Sequence, residues 1–508
     1  MAPRLWRTYA HPRALTLSLA TATAVATVAA PAAHADPKPR TPSDLAARVD
    51  PGAVVSHLSA FERIAMASQG RRAAGERGYE LSAQYVEKQL RGAGYTPRRQ
   101  YFEFTYDSVV STSLNELSPT ARAVTHTPFS YSPSTPKAGV KAQLVTPSTA
   151  TGCSAAEWDG VVATAKIALV SRGTCTFGEK AKAAKAAGAA AILIYNNAPG
   201  PLNGTLGGPS DDYAPATGIT KADGDALLAD MAKGPVQMSF VLDKIIEKRR
   251  TFNVLAETKG GSADDVLMVG AHLDGVQQGP GINDNASGSA TVLEVAKQAN
   301  QLKKPAHKIR FAWWGAEELG LLGSEHYVKD LQDNDVDSLV KINGYLNFDM
   351  LASPNYIIGV YDSTQAWMPQ GSARLQRAFT GYFDDRGQPY VAAPMQGGSD
   401  QLPFLEAGVP VGGLFTGAGG LKTAQEATLF GGTAGVAYDP GYHTAQDTLR
   451  NANKAALAIN VKAVAHAVGT LALGEPGSAK KGKKGKNGKN GKKDLRTSAT
   501  PTTTVARR

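Results

Sequence analysis

Seven ionisable side chains in the second half of the sequence stand at the ends of apolar segments or in Gly-rich loops. In chain order they are His272, Asp274, Asp284, Glu317, Glu318, Asp349 and His443. An acidic residue at the end of a strand can simply cap the next helix. Several carboxylates gathered at one rim, however, repel one another unless cations neutralise them. Carboxylates mixed with imidazoles are a ligand set that suits zinc, so the set predicts a metal site.

The elements that carry these residues alternate between strand and helix from residue 265 onward. The segments "DVLMVGAHLD", "HKIRFAWWGAEE" and "INGYLNFDM" predict strands, and helices are expected near 287–301 and 319–332. This rhythm predicts an α/β fold with a mixed, mostly parallel sheet and helices on both faces. The carboxyl ends of such strands meet at one edge, which is where sites form in these sheets.

The first half of the chain has a different organisation. The segment "GYELSAQYVEKQLRGAGY" predicts a helix and the alternating "RRQYFEFTY" an edge strand, whereas the Ser-, Thr- and Pro-rich residues 108–135 predict a loop or linker. In residues 137–243, strand candidates "AKIALVSRG" and "AAAILIYNN" flank the helical "GEKAKAAKAAGA". A strand is expected to restart at residue 251, so this block is interpreted as an insertion in a larger domain.

Two cysteines, Cys153 and Cys175, lie within the inserted block. In an exported protein an isolated pair most simply predicts a disulfide. A metal site would need nearby His partners, and a catalytic thiol would need a His and an orienting group. This part of the sequence supplies neither.

Both ends of the 508-residue sequence have biased composition. Arg4, Arg7 and Arg13 precede the apolar "ALTLSLATATAVATVAAPA", and a small-residue stretch ends at Ala35. Residues 1–35 are therefore predicted to be a secretory signal peptide; the alternative, a membrane anchor, suits a longer and more apolar run.

The net charge of +10 is concentrated outside the predicted folded part. Residues 480–508 alone hold eight Lys and three Arg against one Asp. Residues 476–508 are thus predicted to be a disordered basic tail, either merely solvated or attached electrostatically to anionic cell-surface polymers. Because the folded part has no basic excess, no nucleic-acid partner is expected.

The motifs together resemble a known family. "GAHLD", "GINDNASGSA", "AWWGAEELGLLGSEHYV", "YLNFDM" and "GYHTAQDT" are similar, in order and spacing, to the M28 di-zinc aminopeptidases, especially the secreted bacterial leucine type. The likeness covers roughly residues 55–105 and 250–472. The segment "RGTCTFGEKAKAAKAAGAAAILIYNN" resembles a protease-associated (PA) domain. The resemblance implies a zinc exopeptidase fold over 36–136 and 247–475, with a PA domain inserted at 137–246.

The same resemblance implies a ligand set for two zinc ions. Asp284 should bridge the ions, His272 and Asp349 should complete one site, and Glu318 and His443 the other. It also implies a cis peptide bond between Asp284 and Asn285.

Catalytic roles follow from the resemblance as well. Glu317 should act as the general base toward a bridging water activated by the metals. The hydroxyl of Tyr442 should stabilise the oxyanion, and Asp274 should orient His272 by accepting its free ring N–H.

For the substrate, the resemblance implies that Glu317 and Asp349 hold the free α-ammonium group. An internal peptide bond has no such group, so cleavage is restricted to the N-terminus. Met350 and Phe415 should line an apolar pocket that favours Leu, Met or Phe.

Some positions depart from the family pattern. Gly398 stands where some secreted relatives have Arg, and Gly441 and Gln446 stand where some have a disulfide around the Tyr-His pair. Calcium is not predicted, because residues 454–474 contain no carboxylate. These departures bear on fine specificity and calcium dependence rather than on the reaction.

The sequence therefore predicts a secreted, monomeric di-zinc aminopeptidase that acts on peptide or protein N-termini. Another zinc exopeptidase, or a glutaminyl cyclase of the same superfamily, would share the metal site but need a different substrate-end pocket. A non-catalytic binding protein on this fold should have lost ligands, and here every ligand is present.

Overall fold

The computed structural model describes residues 38–364, 368–395 and 398–474. The predicted signal peptide of residues 1–35 and the predicted basic tail of 476–508 lie outside the described residues.

A mixed sheet organises the second half of the chain. In the order in which they lie side by side, its strands are β13 (Val391–Ala393), β12 (Gly359–Tyr361), β14 (Val411–Phe415), β11 (Ile342–Phe348), β9 (Ser262–His272), β10 (His307–Trp314), β8 (Gln237–Glu257) and β1 (Arg98–Ser118). The central strands β14, β11, β9 and β10 run parallel, and β12 and β8 flank them antiparallel. This confirms the predicted mixed, mostly parallel sheet.

Helices cover both faces of this sheet because its central strands are apolar on both sides. In β9, Leu267 and Val269 pack into the core of one face, and Val266 and Met268 into that of the other. The helices of the first face are α1 (Pro42–Arg48), α2 (Pro51–Met66), α3 (Arg77–Gly92), α6 (Gly288–Ala299), α9 (Ser372–Asp384), α11 (Ala424–Phe430) and α12 (Lys454–Leu473). Those of the second face are α7 (Leu322–Asn334), the short α8 (Val336–Val340) that follows it, and α10 (Gln401–Glu406).

The apolar helix α12 is a core helix. It is long and apolar enough to cross a membrane, but 67% of its most apolar window is buried inside the fold. Its N-cap Asn453 accepts hydrogen bonds from two backbone N–H groups of the first turn. Lys462 of α12 donates to the backbone carbonyls of Ala46, Ala47 and Val49, which fastens α12 to α1.

The inserted block forms a second sheet with its own core. Its parallel strands are β4 (Val140–Val145), β5 (Ile167–Ser171), β6 (Ala191–Tyr195) and β7 (Ala216–Ile219); β3 (His126–Pro128) pairs antiparallel with β7, and the helices are α4 (Phe177–Ala186) and α5 (Lys221–Met231). Phe129, Val170 and Ile192 belong to one of its apolar clusters. Cys153 and Cys175 form the predicted disulfide.

A long two-stranded ribbon joins the two sheets. β1 and β8, 21 residues each, pair antiparallel from Arg98↔Leu255 to Ser118↔Gln237, and β4 pairs with the far half of β8. Two predictions were therefore wrong. Residues 108–135 are not mainly a linker, since β1 runs to Ser118 and β2 (Arg122–Ala123) pairs with it. The strand expected to start at residue 251 is β8, which begins at Gln237. Pairing with a distant partner stabilises these Ser- and Thr-rich segments as strands. The predicted boundary at 246/247 lies inside β8.

Candidate metal centre

The ionisable residues predicted from the sequence meet at the carboxyl edge of the central strands. His272 is the last residue of β9, Asp349 directly follows β11, and Glu317 and Glu318 lie just beyond β10. Because these strands are parallel neighbours, their carboxyl ends bring the side chains to one edge of the sheet.

Asp284 reaches the same edge from the turn Ile282–Ser287, which leads into α6. The residue is non-helical (φ −106°, ψ 96°), and the Asp284–Asn285 peptide bond is cis, as expected. The carboxylate of Asp447 accepts the backbone N–H groups of Asn283 and Asp284, and Asp439 accepts the side-chain amide of Asn283. The sequence analysis missed both acceptors, although Asp447 lies inside the quoted motif "GYHTAQDT".

Asp284 lies between two histidines, with one carboxylate oxygen facing each. Its Oδ1 is 3.2 Å from Nε2 of His272, and its Oδ2 is 3.1 Å from Nε2 of His443. On the first side, Oδ1 of Asp349 is 3.3 Å from His272 Nε2. On the second side, Oε2 of Glu318 is 3.0 Å from His443 Nε2. The cluster thus has two halves that share one carboxylate.

Several atoms of this cluster are buried among the described residues without a hydrogen-bond partner. They include Nε2 of His272, Oε1 of Glu318 and Oδ1 of Asp349. Buried polar atoms normally have a partner, so these atoms fit a set of ligands whose partner is a cation. Imidazole nitrogen and carboxylate oxygen are donors that zinc accepts. The residues present therefore fit zinc.

Glu317 also lies close to the first half of the cluster. Its Oε2 is 3.9 Å from Nε2 of His272. Ligand atoms of His272, Glu317 and Asp349 all lie within 4.8 Å of one another, and the same holds for His272, Asp284 and Glu318. The geometry thus allows Glu317 either to lie beside the cation or to bind it as a ligand.

The charges of the cluster shift the pKa values of its members in the metal-free protein. Burial raises the pKa of Glu318 to about 7, and the charge of Asp284 adds to this shift. Burial likewise raises the pKa of Glu317 well above its usual range. Burial disfavours the charged form of His443, but Asp284 and Glu318 outweigh it and raise the pKa of this imidazole to about 10. Without a cation, the cluster therefore retains protons.

Asp274 supports the site differently from the sequence prediction. The ring Nδ1 of His272 lies 3.2 Å from the backbone carbonyl oxygen of Asp274 and 3.8 Å from its carboxylate. The carboxylate instead accepts the backbone N–H groups of Glu317 and Glu318, at 3.2 and 3.4 Å. The carbonyl can thus orient the ring, while the carboxylate holds the loop after β10. Two anchored N–H groups make this the stronger use of a buried carboxylate.

The remaining predicted residues lie around the cluster. The ring of Tyr442 stacks on that of His443, with centroids 3.8 Å apart. Met350 follows the end of β11, and Phe415 ends β14, the neighbouring strand. The carbonyl oxygen of Met350 accepts the backbone N–H of Thr416 at 2.9 Å, so the two predicted pocket residues stand on adjoining backbone segments.

Asp400 is a buried carboxylate near the cluster that the sequence analysis did not identify. Burial raises its pKa to about 8, and the charge of Asp349 adds to the shift. It lies in the segment "QGGSDQLPF", where the sequence analysis considered only Gly398. An acidic residue in a Gly-rich loop gives no sequence signal that distinguishes burial from exposure.

A cleft of about 270 Å³ opens beside the cluster. Glu318 and the 274–278 loop line one side of it, and residues Asp107, Ser108 and Val109 of the ribbon line another. Val109 is 43% exposed. The ribbon that carries the inserted block therefore borders a cleft that Glu318 of the cluster also lines.

Comparison with known sequences identifies two regions of the chain. The profile described as Peptidase family M28 matches residues 253–468, and that of the PA domain matches 140–227. The chain is 40% identical over 398 residues to leucine aminopeptidase 2 of Trichophyton rubrum, covering 78% of each protein. It is 41% identical over 446 residues to the probable lipoprotein aminopeptidase LpqL of Mycobacterium tuberculosis, covering 84% of this chain and 87% of that protein.

Solved structures give a similar result. The fold resembles the aminopeptidase from Aneurinibacillus sp. strain AM-1, with a TM-score of 0.67 and 28% identity over 84% of this chain and 95% of that one. It also resembles BSAP, a zinc aminopeptidase from Bacillus subtilis, with a TM-score of 0.58 and 27% identity over 83% of this chain and 94% of that one.

Proposed function

We propose that this protein removes large apolar N-terminal residues from peptides with the aid of two zinc ions. The premise is that the chain belongs to peptidase family M28, is a zinc aminopeptidase and carries a PA domain. The observation that carries the proposal is the divided cluster, in which one carboxylate of Asp284 faces both His272 and His443. A shared carboxylate between two imidazoles is what a pair of neighbouring cations requires.

The ligands divide between the two ions by proximity. His272 and Asp349 would hold the first ion, Glu318 and His443 would hold the second, and Asp284 would be shared between them. Zinc held by these residues would supply a Lewis acid for the scissile carbonyl and would lower the pKa of the attacking water.

Glu317 serves as the general base. It takes a proton from the attacking water and returns it to the leaving amine, which frees the new N-terminus. Burial raises its pKa well above the usual range, and such shifts are typical of carboxyl groups that transfer protons. The hydroxyl of Tyr442 donates a hydrogen bond to the oxyanion of the tetrahedral intermediate.

Recognition of the substrate's end uses the same carboxylates. Glu317 and Asp349 pair with the free α-ammonium group, so acylated or internal residues are excluded. The apolar side chain of the first residue binds against Met350 and Phe415, which favours Leu, Met or Phe. Leucine aminopeptidase 2 of Trichophyton rubrum, by its name, supports the preference for Leu.

The inserted block controls access of longer substrates. The ribbon residues Asp107 to Val109 border the cleft beside Glu318, which supports this role. We place the peptidase domain at 36–136 and 247–475 and the PA domain at 137–246. The strand β8 crosses the limit at 246/247, and the apolar clusters of the block also include Leu114, Val124 and Phe129.

The enzyme works as a monomer outside the cell. The composition of residues 1–35 supports export, and the disulfide between Cys153 and Cys175 fits an oxidising compartment. The basic residues 480–508 attach the enzyme to anionic cell-surface polymers.

Hydrolysis of Leu-p-nitroanilide, compared with that of its N-acetylated analogue, tests the proposal. The zinc-loaded protein should cleave the first and leave the second intact, and chelation of zinc should abolish the activity. Equal cleavage of both substrates would contradict the need for a free amine. Absence of activity in a protein that binds two zinc ions would contradict the proposed reaction.

A further inference from the structure

Arg72 is a buried arginine that the proposed reaction does not use. It lies in the loop between α2 and α3, and its side chain is among the largest fully buried ones. Its guanidinium donates to three backbone carbonyl oxygens: Nε to Pro280 at 2.9 Å, Nη1 to Leu273 at 2.5 Å and Nη2 to Gly281 at 2.5 Å.

These carbonyls belong to the two ends of one loop, residues 273–281, which connects the proposed ligand His272 to the turn that carries Asp284. Leu273 directly follows His272 at the end of β9, and Pro280 and Gly281 directly precede the turn that contains Asp284. A guanidinium is planar and its donors are fixed in direction. The three bonds therefore set the separation and orientation of the two ends of this loop.

The backbone at Gly281 is adapted to this close approach. Its φ is +62°, which favours glycine. A Cβ at this position would lie 2.5 Å from the carbonyl oxygen of Asp284 and 3.2 Å from Nη2 of Arg72. A side chain here would thus displace either the turn that carries Asp284 or the guanidinium.

Arg72 also places a buried positive charge behind the carboxylates. Burial lowers its pKa to about 10, while attraction to Asp447, Asp274 and Asp284 opposes this shift, so the group is protonated at neutral pH. Its guanidinium also lies 5.3 Å from the ring centroid of Phe61. Burying a charge is costly unless its donors are satisfied. The three carbonyls satisfy Arg72, and the charge reduces the mutual repulsion of the carboxylates nearby.

We propose that Arg72 is a positioning residue of the metal centre: it holds the two ends of the loop 273–281 together, so that His272 and Asp284 are arranged for a shared cation before that cation binds. This inference rests on the proposed zinc site but not on the proposed reaction. Its test therefore measures zinc binding directly.

The experiment compares Arg72→Met with Lys462→Met. Lys462 is a matched control because it too donates to three backbone carbonyls, but between α12 and α1. The zinc dissociation constant of each metal-free protein is measured by competition with a chromophoric chelator, and the melting temperature is measured alongside. We expect Arg72→Met to weaken zinc binding by about 10- to 100-fold, as for other residues that orient ligands. Lys462→Met should lower the melting temperature while leaving zinc affinity within about 2-fold of the unsubstituted protein.

Arg72→Lys keeps the charge, but one ammonium cannot reach the carbonyls at both ends of the loop, so this variant should bind zinc with intermediate affinity. It also serves as the decisive variant if Arg72→Met does not fold. Unchanged zinc affinity in either folded Arg72 variant overturns the inference, since Arg72 would then only stabilise the fold. A third outcome separates the two proposals. If the unsubstituted protein binds zinc normally but is inactive, and Arg72→Met loses zinc binding, the inference about Arg72 holds and the proposed reaction is rejected.

Discussion

The backbone N–H of Asp284 donates to the carboxylate of Asp447 at 2.9 Å, and the N–H of Asn283 donates to the same carboxylate at 2.6 Å. The proposed bridging ligand is thus held by its own main chain, from a residue that lies just beyond His443 in sequence. Asp447 also joins the loop of His443 to the turn of Asp284, which are the two chain segments that face each other across the second half of the cluster.

Asp447→Asn should weaken both stability and zinc retention. An amide offers one acceptor oxygen, so one of the two buried N–H groups loses its partner at a cost of about 1–3 kcal/mol. Thermal unfolding and chelator competition measure the two effects. Asp50→Asn is the matched control, because Asp50 also accepts two backbone N–H groups, at the exposed N-cap of α2. Zinc affinity lowered equally in both variants would contradict a specific role for Asp447.

Glu317→Ala should lower kcat by at least about 10²- to 10⁴-fold, the usual contribution of a general base, while two zinc ions per chain remain bound. Metal analysis and steady-state kinetics check this result, with Glu317→Gln as the variant of matched size. Since Glu317 lies 3.9 Å from His272, loss of zinc would be informative. It would place Glu317 among the ligands and exchange its role with that of Glu318.

Zinc binding should become tighter as pH rises and should release protons. In the metal-free cluster the pKa of Glu318 is about 7 and that of His443 about 10, so both groups hold protons at pH 6. A cation needs the proton-free forms. Its affinity therefore falls as pH drops below about 10, where His443 takes up a proton, and falls more steeply below about 7, where Glu318 does so too. Calorimetry at pH 6 and pH 8, in two buffers of different ionisation enthalpy, measures the affinity and the released protons. An affinity independent of pH would contradict the retained protons.

The ribbon suggests where to remove the inserted block. Asp107 pairs with Ile246, so excision of 108–245 and closure with an Asn-Gly turn preserves the register of the remaining ribbon. Within the described residues, the apolar clusters on both faces of the main sheet take no member from 108–245. The shortened protein should therefore fold and cleave Leu-p-nitroanilide at a rate within a few-fold of the full chain.

A peptide of about ten residues distinguishes the block's role in that experiment. The ratio of peptide to anilide cleavage should change on excision, because loops and inserted domains usually tune access rather than chemistry. An unchanged ratio would indicate that the block only shields apolar surface. Excision of 137–246, in contrast, removes half of β8 and leaves residues 107–118 of β1 without their partners. This second shortened protein should aggregate.

Local pattern predicted the elements that carry the cluster. The strands ending at His272, Trp314 and Phe348 are buried apolar runs followed by charged residues. This pattern predicts a strand even when its partner strands are unknown. The same local rule failed for 108–118, where Ser and Thr alternate with few apolar residues and the strand exists because β8 lies beside it.

The supporting contacts could not be predicted in this way. Arg72 and the neighbouring Arg71 are identical in type, yet Arg72 is buried against three carbonyls and Arg71 pairs with Glu76 near the surface. Asp274 was expected to accept the ring N–H of His272. Its backbone carbonyl lies within reach of that ring, whereas its carboxylate binds the loop after β10. Such choices depend on which backbone donors and acceptors the assembled fold leaves open, and this information is not local in sequence.

The ribbon also constrains the order in which the chain can assemble. Its terminal pair, Ser118 and Gln237, encloses residues 119–236, which contain most of the inserted block. The strand β10 gains its outer neighbour only when β8, which follows these residues in the chain, pairs with it. Closing so long a loop while it is unfolded carries a large entropic cost, whereas a folded block brings its two ends together in advance, much as a short turn would. A block that fails to fold should therefore harm the peptidase more than a block that is absent.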